Sequence, residues 1–487
     1  MNPLRQRTVA GLGWSGANQV VSQLLQFAFS VALARLLSPA EFGLVGMIIV
    51  FTGFAASLAD LGLGASLIQR PSVSEAHLNA VFWLNVAMGG LLTTLLCATA
   101  PLIATFYGEP QLQLLTMAVA GTLLLSSLSA VQSALLSKSI EFRLRFWIDM
   151  AATAASGTVA VGLAVSGAGV WSLVAQSLTL SATRTVLLWW YTPWRPAWSF
   201  ELAAAKDLRH FARHMMLFNI VIYWENNVEK MVIGRLLGST SLGIYNLAER
   251  IMRIPSTNVT AAAGSVMFPA VSLIQHDVES VRRVYLRSNR LIATATFPMM
   301  MGLMALAEPA VLSLLGAKWH GTILPLQLLC LAGLVQSVYN TAGWIYLSHG
   351  RPDLLLRASL YAFAARVAGV FIGLPWGIVG VVCAYVAGVY AVVLYTTWSP
   401  AGRLIGLRVV EILGNVAEPF LCAAGMGLVV WGADWWLHGA QPDWVRLAVG
   451  VPLGIAAYGL LVRLFWSDGW RELGDLLREA RRRRHVA

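Results

Sequence analysis

The chain has few charged residues and lacks the motifs of common catalytic sites. Only 12% of its 487 residues are Asp, Glu, Lys or Arg, against about a quarter in a typical soluble domain. No Walker A, GxSxG or HExxH pattern occurs, and the eight histidines stand in loops and at span ends, without metal-ligand spacing. These absences argue against a soluble enzyme, an ATPase and a metalloenzyme. No long hydrophilic loop is present that would build an extramembrane catalytic domain.

Cysteine is also scarce. The four residues Cys97, Cys330, Cys383 and Cys422 are widely spaced and fall inside apolar runs. This pattern suggests neither a disulfide framework nor a CxxC metal site. We therefore expect all four to be buried small hydrophobic residues.

Apolar residues, by contrast, make up 57% of the chain, and the mean hydropathy is +0.68. Since one membrane-spanning helix needs about 20 apolar residues, this amount corresponds to about fourteen spans. The predicted fold is therefore an all-α polytopic membrane protein with 14 transmembrane helices. The predicted spans are 10–33, 42–66, 79–103, 112–136, 147–166, 169–191, 214–237, 242–273, 289–315, 322–347, 354–374, 376–398, 412–433 and 445–466.

The basic residues predict the orientation of these spans, because Lys and Arg concentrate in cytoplasmic loops. With the amino terminus in the cytoplasm, only Arg35, Arg235, Lys318 and Arg446 of the 34 basic residues fall on the outer side. Five others lie within spans, and the remaining 25 lie on the cytoplasmic side. We therefore place both termini in the cytoplasm. Membrane topology and membrane lipids explain the formal net charge of +11 without a nucleic acid partner.

Two halves of the chain match each other weakly. At an offset of 200 residues, Gly43 matches Gly243 and the Arg-Leu-Leu sequence at 35–37 matches that at 235–237. Because six spans per half is an even number, we predict parallel repeats. These form two six-helix lobes related by a pseudo-two-fold axis, with the substrate site at their interface. The predicted domains are an amino-terminal lobe, a linker with an interfacial helix, a carboxy-terminal lobe, two additional helices and a basic cytoplasmic tail: 1–192, 193–213, 214–400, 401–470 and 471–487.

Polar side chains recur at helical spacing in the first span and again 200 residues later in the seventh. Positions i, i+4, i+7 and i+11 lie within about 60° on one helical face. A stripe repeated in both halves predicts a wet cavity that the two spans share. The stripes are Gln19, Gln23, Gln26 and Ser30 in the first span, and Asn219, Tyr223, Asn226 and Lys230 in the seventh.

Charged residues inside the spans are the other candidates, because ionised side chains are costly in a bilayer and usually mark a pathway. We predict that the cations bind an anionic substrate group such as a phosphate. The cationic candidates are Lys230, Arg250, Arg253 and Arg366. The alternative is that they pair inside the membrane, since Glu249 and Arg253 stand four residues apart.

The acidic residues of the spans are candidates for ion coupling: Asp60, Glu225, Glu229 and Glu249. Glu225 and Glu229 lie off the seventh-span stripe, so either proton or sodium coupling or pairing with the eighth span fits them. Asp60 stands near the cytoplasmic end of the second span, where a hydrogen bond to a helix end is the alternative. No metal site and no cofactor are predicted.

Several segments resemble a known family of membrane proteins. They are LARLLSPAEFG at 33–43, DLGLG at 60–64, RLLGSTSLGIY at 235–245 and RIMRIP at 250–255. These resemble the Wzx-type polysaccharide transporters of the multidrug/oligosaccharidyl-lipid/polysaccharide exporter superfamily, and in particular their colanic-acid branch. The resemblance covers nearly the whole chain.

The resemblance implies a flippase of the bacterial inner membrane, and we expect it to be a monomer because the repeat already supplies two lobes. Its substrate would be an undecaprenyl-diphosphate-linked oligosaccharide, moved from the cytoplasmic to the periplasmic leaflet for exopolysaccharide or lipopolysaccharide biosynthesis. The cations would then bind the diphosphate, and Gln19, Gln23, Gln26, Asn219 and Asn226 would bind sugar hydroxyls. A glycan polymerase and the export machinery are further candidate partners. Two alternatives stay open: a cation-coupled multidrug exporter of the same superfamily, and a membrane enzyme that polymerises or ligates glycans.

Overall fold

The computed structural model of the protein describes residues 21–59, 67, 74–139, 141–198 and 202–465. These residues form helices joined by short turns, and they include no strand. The chain divides into an amino-terminal unit, Met1–Gly243, and a carboxy-terminal unit, Ile244–Val486. The predicted domain boundaries, the internal symmetry and a shared wet cavity stay predictions.

In the described part of the chain, six helices precede the unit boundary and a seventh runs across it. Ser74 caps the third of them with a hydrogen bond from the backbone N–H of His77, and Gly108 ends it in the left-handed conformation (φ 73°) that favours glycine. The helices are α1 Val21–Leu36, α2 Pro39–Ala59, α3 Glu75–Tyr107, α4 Gln111–Lys138, α5 Phe142–Val165, α6 Trp171–Tyr191 and α7 Leu202–Leu273.

Helix α7 is broken at Gly238, which has φ 82° and ψ 176°. This conformation is open to glycine but strained for residues with a Cβ. The break falls between the predicted seventh and eighth spans, so the first part of α7 is 202–237 and the second part is 239–273. The helix begins at Leu202, inside the segment predicted to be a linker with an interfacial helix.

Helices α2 and α7 meet backbone to backbone at the two glycines that the repeat comparison had matched. A Cβ at Gly43 would stand 1.7 Å from the carbonyl oxygen of Ser239, and one at Gly243 would stand 1.9 Å from that of Pro39. Real Cβ atoms do not come within 3.0 Å of such atoms. Small residues allow this kind of close helix contact in membranes. Both contacts lie within the amino-terminal unit.

The carboxy-terminal unit begins inside α7 and continues through nine further helices. Short 3₁₀ segments at Ala317–Thr322 and Leu374–Trp376 and a π-helical turn at Val389–Val393 connect some of them. Asp277 caps the first of the nine: it accepts a hydrogen bond from Ser280, which holds the pKa of its carboxyl below the usual range. The helices are α8 Val278–Ala305, α9 Ala307–Leu314, α10 Ile323–Tyr339, α11 Ala342–Ser348, α12 Pro352–Gly373, α13 Gly377–Gly388, α14 Leu394–Leu404, α15 Val409–Leu437 and α16 Asp443–Phe465.

The number of membrane spans is supported in part. Within the described residues, eight helical segments are long and apolar enough to cross a membrane, or nine if α8 and α9 form one span. Those two helices meet at a bend of 70°, whereas the sequence predicted one span at 289–315. The coarse prediction of an all-helical membrane protein is confirmed, and the count of fourteen stays a prediction.

The prediction that all four cysteines are buried is confirmed for two of them. Cys330 and Cys422 are buried and Cys97 is half-buried, but Cys383 is exposed on the helix surface. Burial by protein does not follow from hydrophobicity in a membrane protein, because lipid solvates an apolar side chain as well as a protein core does. All four thiols are free.

One buried arginine links the last two helices to the rest of their unit through hydrogen bonds. Arg446 of α16 is 3% exposed and holds both oxygens of Asp434 on α15, at 2.9 and 2.7 Å. It also donates to Glu308 on α9 and to Asp443 on its own helix, both at 2.9 Å. A single guanidinium thus joins three helices through four charge-assisted hydrogen bonds.

We expect Arg446→Met to destabilise this part of the unit by about 3–5 kcal/mol, the usual cost of leaving a buried carboxylate without its partner. The carboxylate in question is Asp434, which is 8% exposed. Thermal unfolding of the purified protein in detergent measures the effect. Arg463→Met is the control, because Arg463 is exposed on the same helix. Equal melting temperatures for the two variants would contradict the fastening role of Arg446.

Candidate functional site

A cavity of about 600 Å³ lies within the amino-terminal unit, among helices α2 to α6. Its wall is rich in hydroxyl groups, most of them from α4. Ser126, Ser129, Ser133 and Ser137 line it at i, i+3, i+7 and i+11, a spacing that keeps them within about 80° on one face. Asn85 of α3 adds a side-chain amide to the same wall.

Two arginines and one aspartate lie at one end of this cavity. Arg184 of α6 donates through Nε to Asp149 of α5 at 3.0 Å, and a second bond to the same oxygen comes from its Nη2. Arg145 donates to the hydroxyl of Ser137 at 2.8 Å and lies 3.9 Å from the Asp149 carboxylate. Among the described residues, two guanidinium groups share one carboxylate at this end of the cavity, so these three side chains together carry a net positive charge.

A second cavity of about 290 Å³ meets the first at Arg184. Its wall contains Gln23 and Gln26 of α1 together with Asp149 and Arg184. The structure therefore brings two of the predicted amides into the same polar region as the arginines. Gln19, the first residue of the stripe, lies outside the described residues.

The stripe of the seventh span has a partly structural role. The Tyr223 hydroxyl lies 3.0 Å from the carbonyl oxygen of Ile49 and 2.7 Å from that of Val50, and its donated hydrogen bond joins α7 to α2. Asn226 uses its amide N–H on the carbonyl of Ile222, one turn earlier in its own helix, at 2.8 Å. Asn219 and Lys230 are half-buried in the amino-terminal unit. Their predicted contact with a substrate stays a prediction.

The carboxy-terminal unit contains the other three predicted cations. Arg253 pairs with Glu249 at 2.7 Å, as their spacing allowed. Arg366 of α12 is 7% exposed, and its guanidinium lies 5.6 Å from the centre of the Tyr385 ring on α13. Arg250 is exposed on the turn of α7 that also carries Arg253.

This group of side chains has an excess of positive charge. It contains three cationic side chains and one anionic side chain: Arg250, Arg253, Arg366 and Glu249. Gln336 of α10 donates a hydrogen bond to the Tyr385 hydroxyl, so the ring under Arg366 is itself held in place. An arginine within a membrane protein costs about 2.5–3.5 kcal/mol on insertion scales. An anionic ligand would offset that cost.

The acidic candidates differ in their surroundings. Glu249 is 6% exposed and is paired with Arg253, whereas Glu229 is 3% exposed and Glu225 is half-buried. Asp60 lies outside the described residues. Ion coupling by any of them stays a prediction. Within the residues that the structure describes, no cluster of three or more His, Cys, Asp or Glu side chains is arranged to hold a metal ion.

Sequence reasoning missed the two arginines and the serines of the hydroxyl-lined cavity. Arg184 is one of the five basic residues inside the predicted spans, but it is not among the candidate cations. The serines were also visible as a helical stripe of α4, with the same kind of spacing that singled out the amides of α1. Unlike those amides, the serines do not form a repeated stripe, because only Ser137 has a polar counterpart at the offset of 200 residues.

The fold is that of a known class of membrane transporters. A structure of the lipid II flippase MurJ in an inward closed conformation superimposes with a TM-score of 0.70, at 15% identity, over 94% of this chain and 99% of that one. An inward-facing multidrug resistance MATE transporter follows with 0.61, also at 15% identity, over 81% of this chain and 95% of the other. The chain therefore has the all-helical fold of these two transporters.

The chain belongs to the family described as polysaccharide biosynthesis protein, whose model matches residues 32–324. Three relatives are 28% identical to it. They are the teichuronic acid biosynthesis protein TuaB of Bacillus subtilis (95% of this chain, 96% of TuaB), the succinoglycan biosynthesis transport protein ExoT of Rhizobium meliloti (96% and 95%), and the lipopolysaccharide biosynthesis protein WzxC of Escherichia coli (76% of each).

These likenesses confirm the predicted family and class. The chain is a multi-pass membrane transport protein of polysaccharide biosynthesis, and it is a transporter rather than an enzyme. The multidrug exporter alternative has the weaker support, because its likeness is confined to the fold.

Proposed function

We propose that this protein is a flippase for undecaprenyl-diphosphate-linked oligosaccharide. It takes the lipid-linked glycan from the cytoplasmic leaflet of a bacterial inner membrane and releases it, chemically unchanged, in the periplasmic leaflet. The transported unit then enters exopolysaccharide or lipopolysaccharide biosynthesis. Transport proceeds by alternating access, in which the polar groups of the protein are exposed first to one side of the membrane and then to the other.

One observation carries this proposal beyond family membership: arginines outnumber carboxylates in two groups of side chains, at the Arg184 end of the hydroxyl-lined cavity in the amino-terminal unit and around Arg366 in the carboxy-terminal unit. In the carboxy-terminal unit, Arg366 is 7% exposed and lies over an aromatic ring, and Arg253 shares its surroundings with Glu249. A planar guanidinium suits the two-point recognition of a phosphate. We assign the diphosphate to Arg250, Arg253 and Arg366, with Lys230 as a further cation.

The sugars are assigned to uncharged polar groups. Gln23 and Gln26 line a polar cavity of the amino-terminal unit, where their amides can both donate and accept hydrogen bonds. Gln19, Asn219 and Asn226 are also assigned to sugar binding, because they belong to the polar stripes of the first and seventh spans. Transport is coupled to a proton or sodium gradient through one of the acidic residues, Asp60, Glu225, Glu229 or Glu249.

A strain that lacks the protein tests the proposal. We expect such a strain to lose its surface polysaccharide and to accumulate the lipid-linked oligosaccharide in the cytoplasmic leaflet, with unchanged susceptibility to cationic drugs. Restoring the gene restores the polysaccharide. Normal polysaccharide together with increased drug susceptibility would support the multidrug exporter instead. Accumulation of an unpolymerised glycan in the periplasm would support a polymerase or ligase.

A further inference from the structure

The hydroxyl-lined cavity of the amino-terminal unit offers a specific pattern of hydrogen-bonding groups. Several of its hydroxyls donate their one hydrogen to a carbonyl of their own helix: Thr52 to Ile48 at 3.0 Å, and Ser127 to Leu123 at 2.8 Å. Ser137 does the same to Ser133, also at 2.8 Å. A hydroxyl whose hydrogen is used in this way keeps its lone pairs as acceptors. These three hydroxyls therefore present acceptor oxygens, of which Ser137 already accepts one hydrogen bond from Arg145, and this part of the wall suits a ligand that is rich in donors.

The end that carries Arg145 and Arg184 has the opposite character. Their guanidinium groups are pure donors, and they outnumber the single carboxylate of Asp149. Asp149 is mostly buried, with 15% of its side chain exposed, whereas Arg184 is 47% exposed. The aspartate thus fixes the orientation of Arg184 and leaves part of the guanidinium accessible. An acceptor group with a negative charge is the ligand that this end suits.

The cavity is long enough to keep the hydroxyl acceptors of its wall apart from the guanidinium donors at its end. The lining residues of α4 run from Thr122 to Ser137, which corresponds to about 22 Å of helix at 1.5 Å per residue. By the predicted orientation, the arginine end lies toward the cytoplasm. A volume of about 600 Å³ falls within the range of small-molecule sites.

We propose that this cavity binds the glycan of the transported substrate, and that Arg184 with Arg145 selects glycans that carry a carboxylate, such as a uronic acid. This inference rests on the proposed function and adds the chemical class of the sugar. The neutral sugar rings donate their hydroxyl hydrogens to the serine oxygens of α4. The sugar carboxylate accepts hydrogen bonds from the guanidinium of Arg184.

The test measures binding of methyl β-D-glucuronide and methyl β-D-glucoside to the purified full-length protein in lipid nanodiscs, by saturation-transfer NMR and calorimetry. We expect the wild type to prefer the glucuronide by about tenfold or more, as for a charge-assisted hydrogen bond. Arg184→Gln should abolish this preference, and Arg184→Lys should keep part of it. The control is Arg143→Gln. Arg143 is an exposed arginine of α5, the helix that carries Arg145, and it does not line the cavity.

The serines are tested separately. Ser129→Ala combined with Ser133→Ala should weaken both sugars by a similar factor and leave the preference between them intact. Thr94→Ala is the matched control, since Thr94 also donates to its own helix, at Gly90, but is exposed outside the cavity. Melting temperatures of all variants establish that the fold is retained.

Three outcomes overturn the assignment: equal binding of the two sugars by the wild type, a preference that survives Arg184→Gln in a folded protein, or inorganic pyrophosphate binding at Arg184 without any dependence on the serines. The last result would give this end of the cavity to the diphosphate. If the protein flips lipid-linked oligosaccharide but shows no sugar preference, only this inference fails. If it binds the glucuronide through Arg184 but flips no lipid, the proposed function fails and the sugar site stands.

Discussion

Replacement of Arg366 by glutamine should reduce the export of surface polysaccharide at least about tenfold, while the protein stays in the membrane in normal amount. The reason is that a charge-assisted hydrogen bond is worth about 1.5–3 kcal/mol, and Arg366 is 7% exposed beside Arg253 and Tyr385. Export is measured as surface polysaccharide in a strain that depends on the variant. Arg357→Gln, at an exposed position of the same helix α12, should export normally.

Arg253 needs a paired design, because its bond to Glu249 gives it two possible roles. Arg253→Gln alone leaves a carboxylate that is 6% exposed without this partner, so loss of export by this variant has two explanations. The double variant Glu249→Gln, Arg253→Gln removes both charges together. If Arg253 binds the substrate, the double variant stays inactive, whereas recovery of export would show that the arginine only neutralises Glu249.

Gly43→Val should prevent normal folding of the amino-terminal unit. A Cβ at this position would stand 1.7 Å from the carbonyl oxygen of Ser239, which is a backbone atom. No side-chain rotation can relieve the overlap, so α2 and the second part of α7 must separate, and this exceeds the usual cost of overpacking, about 1–3 kcal/mol. The expected result is a large decrease in folded protein, measured as the monodisperse fraction in size-exclusion chromatography.

The control for this substitution is Gly90→Ala on α3, where an added Cβ has no atom within 4 Å. Alanine is favoured over glycine inside a helix, so this variant should match or exceed the wild type in stability. A folded, active Gly43→Val protein would show that the close contact between the two glycine segments is not required.

The sequence predicted the class of fold well, and it predicted local features that depend on residue spacing. The break in α7 at Gly238 falls where the apolar runs placed it, and the i, i+4 spacing of Glu249 and Arg253 anticipated their ion pair. The amides Gln23 and Gln26 were selected as polar residues on one helical face, and they do line a cavity. Each of these inferences needs only the geometry of a single helix.

Features that depend on which helices are neighbours could not be predicted from the sequence alone. Gly43 and Gly243 were matched as equivalent positions of a repeat, but their packing against Ser239 and Pro39 follows from how α2 meets α7. The same holds for Arg446, whose partners come from α9 and α15, and for Arg184, whose partner Asp149 is on α5. The exposed Cys383 adds a different lesson: lipid, unlike water, does not force an apolar side chain inward.

The central claim is that this protein moves a lipid-linked oligosaccharide across a membrane without changing it. The most direct test is reconstitution of the purified protein in liposomes whose inner leaflet carries a fluorescent undecaprenyl-diphosphate oligosaccharide. We expect the labelled sugar to become accessible to an external glycosidase or quencher only when the protein is present, with its structure unaltered by mass spectrometry. A label that stays protected as in protein-free liposomes, or a product of changed covalent structure, would show that this protein is not a flippase.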